Sequence, residues 1–326
     1  MAKSKSESPA MKLATAQETV GARVKVAART GVRKELWLAL LYMAPALLLF
    51  LAFTYVPFFR SIWLSLNVTD PTGEISRFNG IDYYARVLNL DGSGRSEYLK
   101  SVVTTVYFSL MVVPAGIVVA VALAVMAAVK LRGISFFRTI FTSTVAISVA
   151  SASVIWALIY NPGIKMTAWL VDLLGLKTQG VLLDPATALA AVAFMTIWSN
   201  LGFNFIIVLA GIQAIPQDFY DSSRIDGATA WKTFRYITLP LLTPTLMFLV
   251  IITTINAFQA FTQFNVLIAN EGPNGSTNVM VFSLFNAFFI NNRYGFASAI
   301  AVVLFVVLLV LSLAQFKLIE RRVHYQ

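Results

Sequence analysis

The chain has 326 residues, 58% of them hydrophobic and only 12% charged, with a mean hydropathy of +0.75 and a formal net charge of +10. That composition excludes an ordinary soluble domain or a pair of them. Zero cysteines and a single histidine also exclude disulfides, thiolate metal sites and a histidine metal cluster.

Residues 1–35, rich in Ala, Lys, Ser and Glu, have the composition of a disordered tail. Six continuously apolar stretches follow: Leu36–Leu64, Val102–Val129, Phe136–Ile159, Leu189–Ile212, Leu241–Phe264 and Phe296–Phe316. Each is near or above the roughly 20 residues that a helix needs to cross the hydrocarbon layer. A membrane barrel would instead show short alternating strands. The expected fold is therefore all-α, a polytopic membrane bundle of six transmembrane helices. Its domain would cover residues 36–316, with an inner loop at 216–240 and a short tail at 317–326. The first apolar run is too long for a signal-peptide core and follows a long polar segment, which marks it as a retained span.

An even number of spans puts both termini on one side. That side collects the lysines and arginines of the first tail, Lys130, Arg132, Arg138, Arg224, Lys232, Arg235, Lys317, Arg321 and Arg322. The excess identifies it as cytoplasmic and the chain as multi-pass in a cell membrane. The net charge is thus topological. No folded basic module carries it, so no nucleic-acid partner is implied.

Pro45 and Pro57 interrupt the first span, and the outer loop Asn67–Tyr98 carries turn chemistry at Asp70-Pro71-Thr72-Gly73 and Asp91-Gly92-Ser93-Gly94. Asn161-Pro162-Gly163 ends the third span, and Met166–Leu174 reads as a short interfacial helix. A last outer loop holds Asn270-Glu271-Gly272-Pro273-Asn274-Gly275.

Away from their ends, where Arg60 and Arg138 lie, the spans carry no charge, which argues against the Asp, Glu or His relays of ion-coupled carriers. Neutral amides are present instead. Asn200 and Asn204 are four apart on the fourth span, and Asn256, Gln259 and Gln263 share one face of the fifth as a helix. Amides donate and accept, and interleaved Phe258 and Phe261 offer rings, so the stripe suits a polyhydroxylated ligand. The alternative reading is that these residues glue helices together inside the bundle. A phosphate-bearing cargo would call for a cation facing the pathway, and no basic residue lies there; a neutral sugar, oligosaccharide or polyol is the expected cargo. No nucleophile–base pair or metal-ligand cluster occurs, so no catalytic residue and no metal ligand is expected.

The loop between the fourth and fifth spans is the most informative stretch. Ile215-Pro216-Gln217-Asp218 closes the span and starts a helix, with Asp218 available as its N-cap. Phe219, Ser222 and Ser223 share a face with Asp226, and Gly227 can take the positive φ that ends the helix. A second helix follows through Trp231 and Phe234, and Leu239-Pro240 starts the next span. Two short helices at an angle make a knob suited to a groove in a soluble partner. Gly227 followed at a distance by Lys232-Thr233 looks like a phosphate loop, but the glycine before the lysine is missing and the context is helical.

Asp221-Ser222-Ser223, three residues, Gly227, nine residues and Ile237-Thr238-Leu239-Pro240 resemble the E-A-A, G, I-x-L-P signature of the membrane subunits of binding-protein-dependent ABC importers. Asp226-Gly227-Ala228 has the family's usual form, with Asp replacing Glu and two serines replacing two alanines. The resemblance runs over residues 36–326 and is to the sugar and glycerol-3-phosphate permeases. It implies a type I importer fold and a bacterial or archaeal inner membrane. It implies a homologous permease partner, two cytoplasmic ATPase subunits that dock on Asp221–Ala228, and an extracytoplasmic solute-binding protein. ATP and magnesium would be bound by the ATPases and no cofactor by this chain. The alternative is a stand-alone secondary transporter or channel.

Overall fold

Backbone polar groups in a hydrocarbon layer must pair within their own segment, and the apolar stretches of this chain do so as helices. The computed structural model describes residues 37–90, 97–129, 132–161, 163–164, 180–268 and 271–320. The expectations for the first tail, the Asp91–Gly94 turn, Lys130, Pro162, Met166–Leu174, Asn270 and residues from Arg321 onward concern residues outside that set.

The chain divides into two units between Arg60 and Ser61. Helix α1 (Trp37–Ser65) makes up the described part of the first unit and ends in the second. Pro57 brings no N–H to it, and the turn before that proline, Leu51–Tyr55, is widened to a π turn closed by Val56 N–H donating to the Leu51 carbonyl.

The second unit opens with an antiparallel hairpin, β1 (Asn67–Thr69) and β2 (Ile75–Phe78), where only turns were expected. One carboxylate oxygen of Asp70 holds its tip, accepting the N–H groups of Thr72 (3.0 Å) and Glu74 (2.9 Å) and the Thr72 hydroxyl (2.7 Å). A short helix, α2 (Asp82–Val87), follows. Helix α3 (Glu97–Ala127) begins before the expected Val102. Its last turn is capped by Arg138, whose guanidinium donates twice to the Ala127 carbonyl (3.1 and 2.7 Å).

The third span, expected as one helix, is two: α4 (Ile134–Ala146) and α5 (Val149–Ile159), bent by 102°. Two contacts make the break. Ser148 is extended (φ −65°, ψ 149°) and caps α5 by accepting the Ser151 N–H at 3.2 Å. Thr144, at the end of α4, presses its hydroxyl onto Gly202 of α6 (Ala188–Gln213), 2.9 Å from the glycine N–H. A Cβ at Gly202 would overlap that hydroxyl, so only glycine admits the approach.

The fifth span departs further from expectation. Helices α8 (Ala230–Leu241) and α9 (Thr243–Phe258) meet at Leu242 with a bend of 64°. Helicity then stops at Gln259 and resumes as α10 (Thr262–Leu267). A further helix, α11 (Met280–Ile290), lies in the last outer loop, anchored where the Met280 N–H donates to Thr105 Oγ1 of α3 at 3.0 Å. Helix α12 (Tyr294–Glu320) closes the fold and is tied to α9 by Gln315 donating to Thr254 at 2.9 Å.

Among the described residues, helices α1, α3, α6 and α12 are each long and apolar enough to cross a membrane, and with each of the bent pairs α4–α5 and α8–α9 taken as one span the number is six. The all-α, six-span reading therefore stands, with one two-stranded hairpin added. Lipid is as apolar as leucine, so close packing holds the bundle. Small residues of α3 (Ala120, Ala124, Ala127) admit Phe205 and Val208 of α6, with Leu242 and Leu249 in the same cluster. A second cluster joins Phe108, Val192, Met195 and Phe264 beneath the amide-bearing segments.

Candidate functional site

The loop after α6 folds as a helical elbow. Helix α7 (Gln217–Ile225) starts with Pro216 in the cap position, extended at ψ 138°, and Asp218 therefore lies inside the first turn. There its carboxylate still favours the positive helix end, but it is not the N-cap expected from sequence. At the other end Gly227 has φ +69°. The Ala228 N–H reaches back to the Ser223 carbonyl (2.9 Å) and the Gly227 N–H to that of Arg224 (3.1 Å), the paired bonds of a Schellman turn. No atom lies within 4 Å of a Cβ placed on Gly227, so glycine is required there by backbone conformation and not by space.

Thr229 then caps α8, its hydroxyl accepting the Lys232 N–H at 3.4 Å, and α8 passes through a π turn at Phe234–Thr238. The two helices are locked by hydroxyls: Ser223 meets Thr233 and Tyr220 meets Thr238, each at 3.3 Å. Ser223 is thus buried inside the elbow and does not share the outward face with Ser222, because it is the residue facing α8. Asp221, Ser222, Asp226 and Gly227 are exposed and Ala228 half-buried. Asp221 pairs with Arg224 at 3.4 Å, a solvent-exposed contact of small energetic weight. The surface around them is unexpectedly apolar: Ile225 is 87% exposed and Trp231 70%, with Phe219 and Tyr236 also out.

A cavity of about 370 Å³ opens beside α6 and the break after α9. Asn200, Asn256, Gln259 and Gln263 all line it, joined by Thr196, Ser199, Phe261 and Thr262. The amides of the fifth span do not share a helical face as expected. Asn256 lies in the last turn of α9, Gln259 sits at its C-cap (φ −93°, ψ 8°) and Gln263 belongs to α10, and the break itself makes them converge. No hydrogen bond joins any of these four amides to a described residue, which is unlike glue between helices; none of the lining residues is charged. Asn204 lies apart. It is buried against Gly116 of α3, and its Oδ1 has no partner among the described residues.

Sequence reading missed Thr196 and Ser199, although their spacing of three and four with Asn200 on α6 is a legible polar stripe. Phe261 was considered with the amide stripe, and it stacks on Phe282, which supports one side of the cavity. Among the described residues, no group of three His, Asp or Glu side chains comes together as a metal site would require.

Comparison with known proteins gives consistent matches. Residues 92–325 match the family described as binding-protein-dependent transport system inner membrane component. The sn-glycerol-3-phosphate transport system permease protein UgpA of Agrobacterium fabrum is 31% identical over 291 residues, covering 87% of this chain and 95% of that protein. The permease of the same name from Escherichia coli O157:H7 is 30% identical over 297 residues, covering 90% and 98%. Among solved structures, a bacterial ABC transporter involved in the import of the acidic polysaccharide alginate superposes with a TM-score of 0.76 at 23% identity, over 88% of this chain and 96% of that one. A second structure of the alginate transporter, in complex with a periplasmic protein bound to alginate pentasaccharide, has a TM-score of 0.75 at 22% identity.

Proposed function

The chain belongs to the family of binding-protein-dependent transport system inner membrane components, multi-pass permease subunits of ABC importers and not enzymes, and from that premise we propose how it works. The elbow of α7 and α8 is the handle gripped by cytoplasmic ATPase subunits, and the cavity beside α6 is where cargo passes. The observation that carries this reading is the elbow's construction: two helices fixed to one another by hydroxyl contacts and a glycine turn, with Ile225 and Trp231 left bare on the outside. Apolar groups this exposed, rimmed by Asp221, Ser222 and Asp226, are what a protein partner covers.

In this mechanism the chain pairs with a homologous permease, both termini lie in the cytoplasm, and an extracytoplasmic binding protein delivers cargo. ATP and its magnesium are bound by the two ATPase subunits. Their closure pushes the elbow, α8 carries the push through Leu242 into α9, and the helices rock to open the pathway outward; hydrolysis returns it. The cargo is a sugar or polyol, glycerol 3-phosphate included. The amides, which have no partner among the described residues, support a polyhydroxylated ligand, and the relatives named above are glycerol-3-phosphate permeases.

Gly227→Pro tests the handle. The variant is expected to insert into the membrane while losing both ATPase co-purification and ATP-dependent uptake. Wild-type uptake in that variant, or solute movement by the isolated chain in vesicles without nucleotide, would overturn the proposal in favour of a stand-alone carrier.

A further inference from the structure

One residue that lines the cavity, Val149, is the first residue of α5, and Ala150 follows it. The first four N–H groups of a helix have no acceptor within it. In α5 the Ser151 N–H is taken by the Ser148 hydroxyl and the Ala152 N–H by the Ser148 carbonyl at 2.9 Å. Those of Val149 and Ala150 have no acceptor among the described residues, and both residues are exposed. Unpaired backbone donors part-way along a membrane span are tolerated only where protein covers them or where they line a water-filled space. Val149 does line the cavity.

A second, independent group addresses the same volume. Gln263 is only 6% exposed, yet it lines the cavity and its amide has no partner among the described residues. Helix α10, which carries it, packs directly on α5.

We propose that the amino end of α5 is a binding subsite of this cavity, where the N–H groups of Val149 and Ala150 donate to an acceptor oxygen of the cargo, above all the oxyanion of a phosphate or carboxylate, with Gln263 as the neighbouring amide. The inference rests on the cavity being the cargo site. A helix amino end carries partial positive charge, and so the subsite supplies what the side chains lack. A cavity without lysine or arginine can then hold an anionic group, contrary to the expectation of a neutral cargo drawn from the spans alone.

Two experiments test it on the assembled importer. Proline is compatible with the first position of a helix, and Ser148 already has the extended backbone that a following proline demands, so Val149→Pro deletes one donor with little strain. With radiolabelled sn-glycerol 3-phosphate, galacturonate and maltose as probes, V149P is expected to raise the uptake KM about tenfold relative to Val149→Ala, and more for an anionic probe than for maltose. An equal KM in the two variants overturns the subsite. If Gln263→Leu raises KM and V149P does not, the cavity stands and the subsite falls; if neither does, both fall.

The second test needs neither cargo nor recovery of the proline variant. The chain has no cysteine, so Ala150→Cys gives it a single thiol. That thiol is expected to react with water-soluble thiosulfonates, and to favour an anionic over a cationic reagent several-fold more than free cysteine does. An inert thiol, or one without that preference, overturns the proposal.

Discussion

Gly211 of α6 lies under Leu242, the residue where α8 turns into α9: a Cβ on the glycine would stand 2.7 Å from Leu242 Cδ1 and 2.7 Å from Thr245 Oγ1. Leu242 is fully buried there. The bend that would carry motion from the elbow into the fifth span therefore sits directly on the fourth span, without space for a methyl group.

Gly211→Ala is accordingly expected to lower stability by about 1–3 kcal/mol through overpacking and to reduce ATP-dependent uptake with it. Leu242→Ala alone removes packing, at about 2–5 kcal/mol. The double variant should cost less than the sum, because the new methyl fills the space that the leucine vacates. Thermal unfolding of the four proteins in detergent checks this, and strict additivity would show that the two residues do not share the bend.

Gly227→Ala probes conformation alone, since the added methyl meets nothing. An L-residue in the left-handed region costs roughly 1–2 kcal/mol, so ATPase co-purification should weaken by about fivefold or more. Gly227→Asn, which tolerates that region better, should weaken it less. A quantitative pull-down at equal membrane abundance reads the order.

Two amides that look alike in sequence should behave oppositely. Gln263→Leu is expected to raise the uptake KM about tenfold by removing a polar contact from the cavity. Asn204→Leu should leave KM unchanged and keep or raise the melting temperature, because Asn204 Oδ1 is buried without a described partner, at a penalty of about 1–3 kcal/mol. Uptake kinetics and melting on the same preparations separate the two roles.

The hairpin tip titrates in a defined direction. The Thr72 hydroxyl, then the N–H groups of Glu74, Thr72 and Gly73, hold the Asp70 carboxyl below its ordinary value. A depressed acid stabilises the fold above its unfolded-state pKa, and that contribution disappears as pH falls through the folded value. Hydrogen exchange of residues 67–78, corrected for intrinsic rate, should therefore be slower in wild type than in Asp70→Ala at neutral pH. The two should converge only below the ordinary aspartate range.

The parts of this fold that depend on local chemistry were legible in the sequence, and those that depend on neighbours were not. Gly227 announced its positive φ because a glycine between two helical patterns has few other uses. Six spans followed from apolar length. The break of the third span was hidden because Thr144 needs Gly202, 58 residues away, to sit where it does. Residue type singles out Asn256, Gln259 and Gln263, but the periodicity that places them on one face stops at Gln259. They meet in the cavity through an interruption for which no glycine or proline gives warning. Asn204 shared the periodicity of Asn200 and still went elsewhere, since α3 offered Gly116 as a seat.

The π turn at Phe234–Thr238 holds one surplus residue within α8. A helix advances about 100° per residue, so a chain lacking that residue would rotate Trp231 by that angle relative to the span behind it and turn Thr233 away from its register with Thr238. The compass bearing of the handle is thereby fixed by counting, and a one-residue deletion would misalign it.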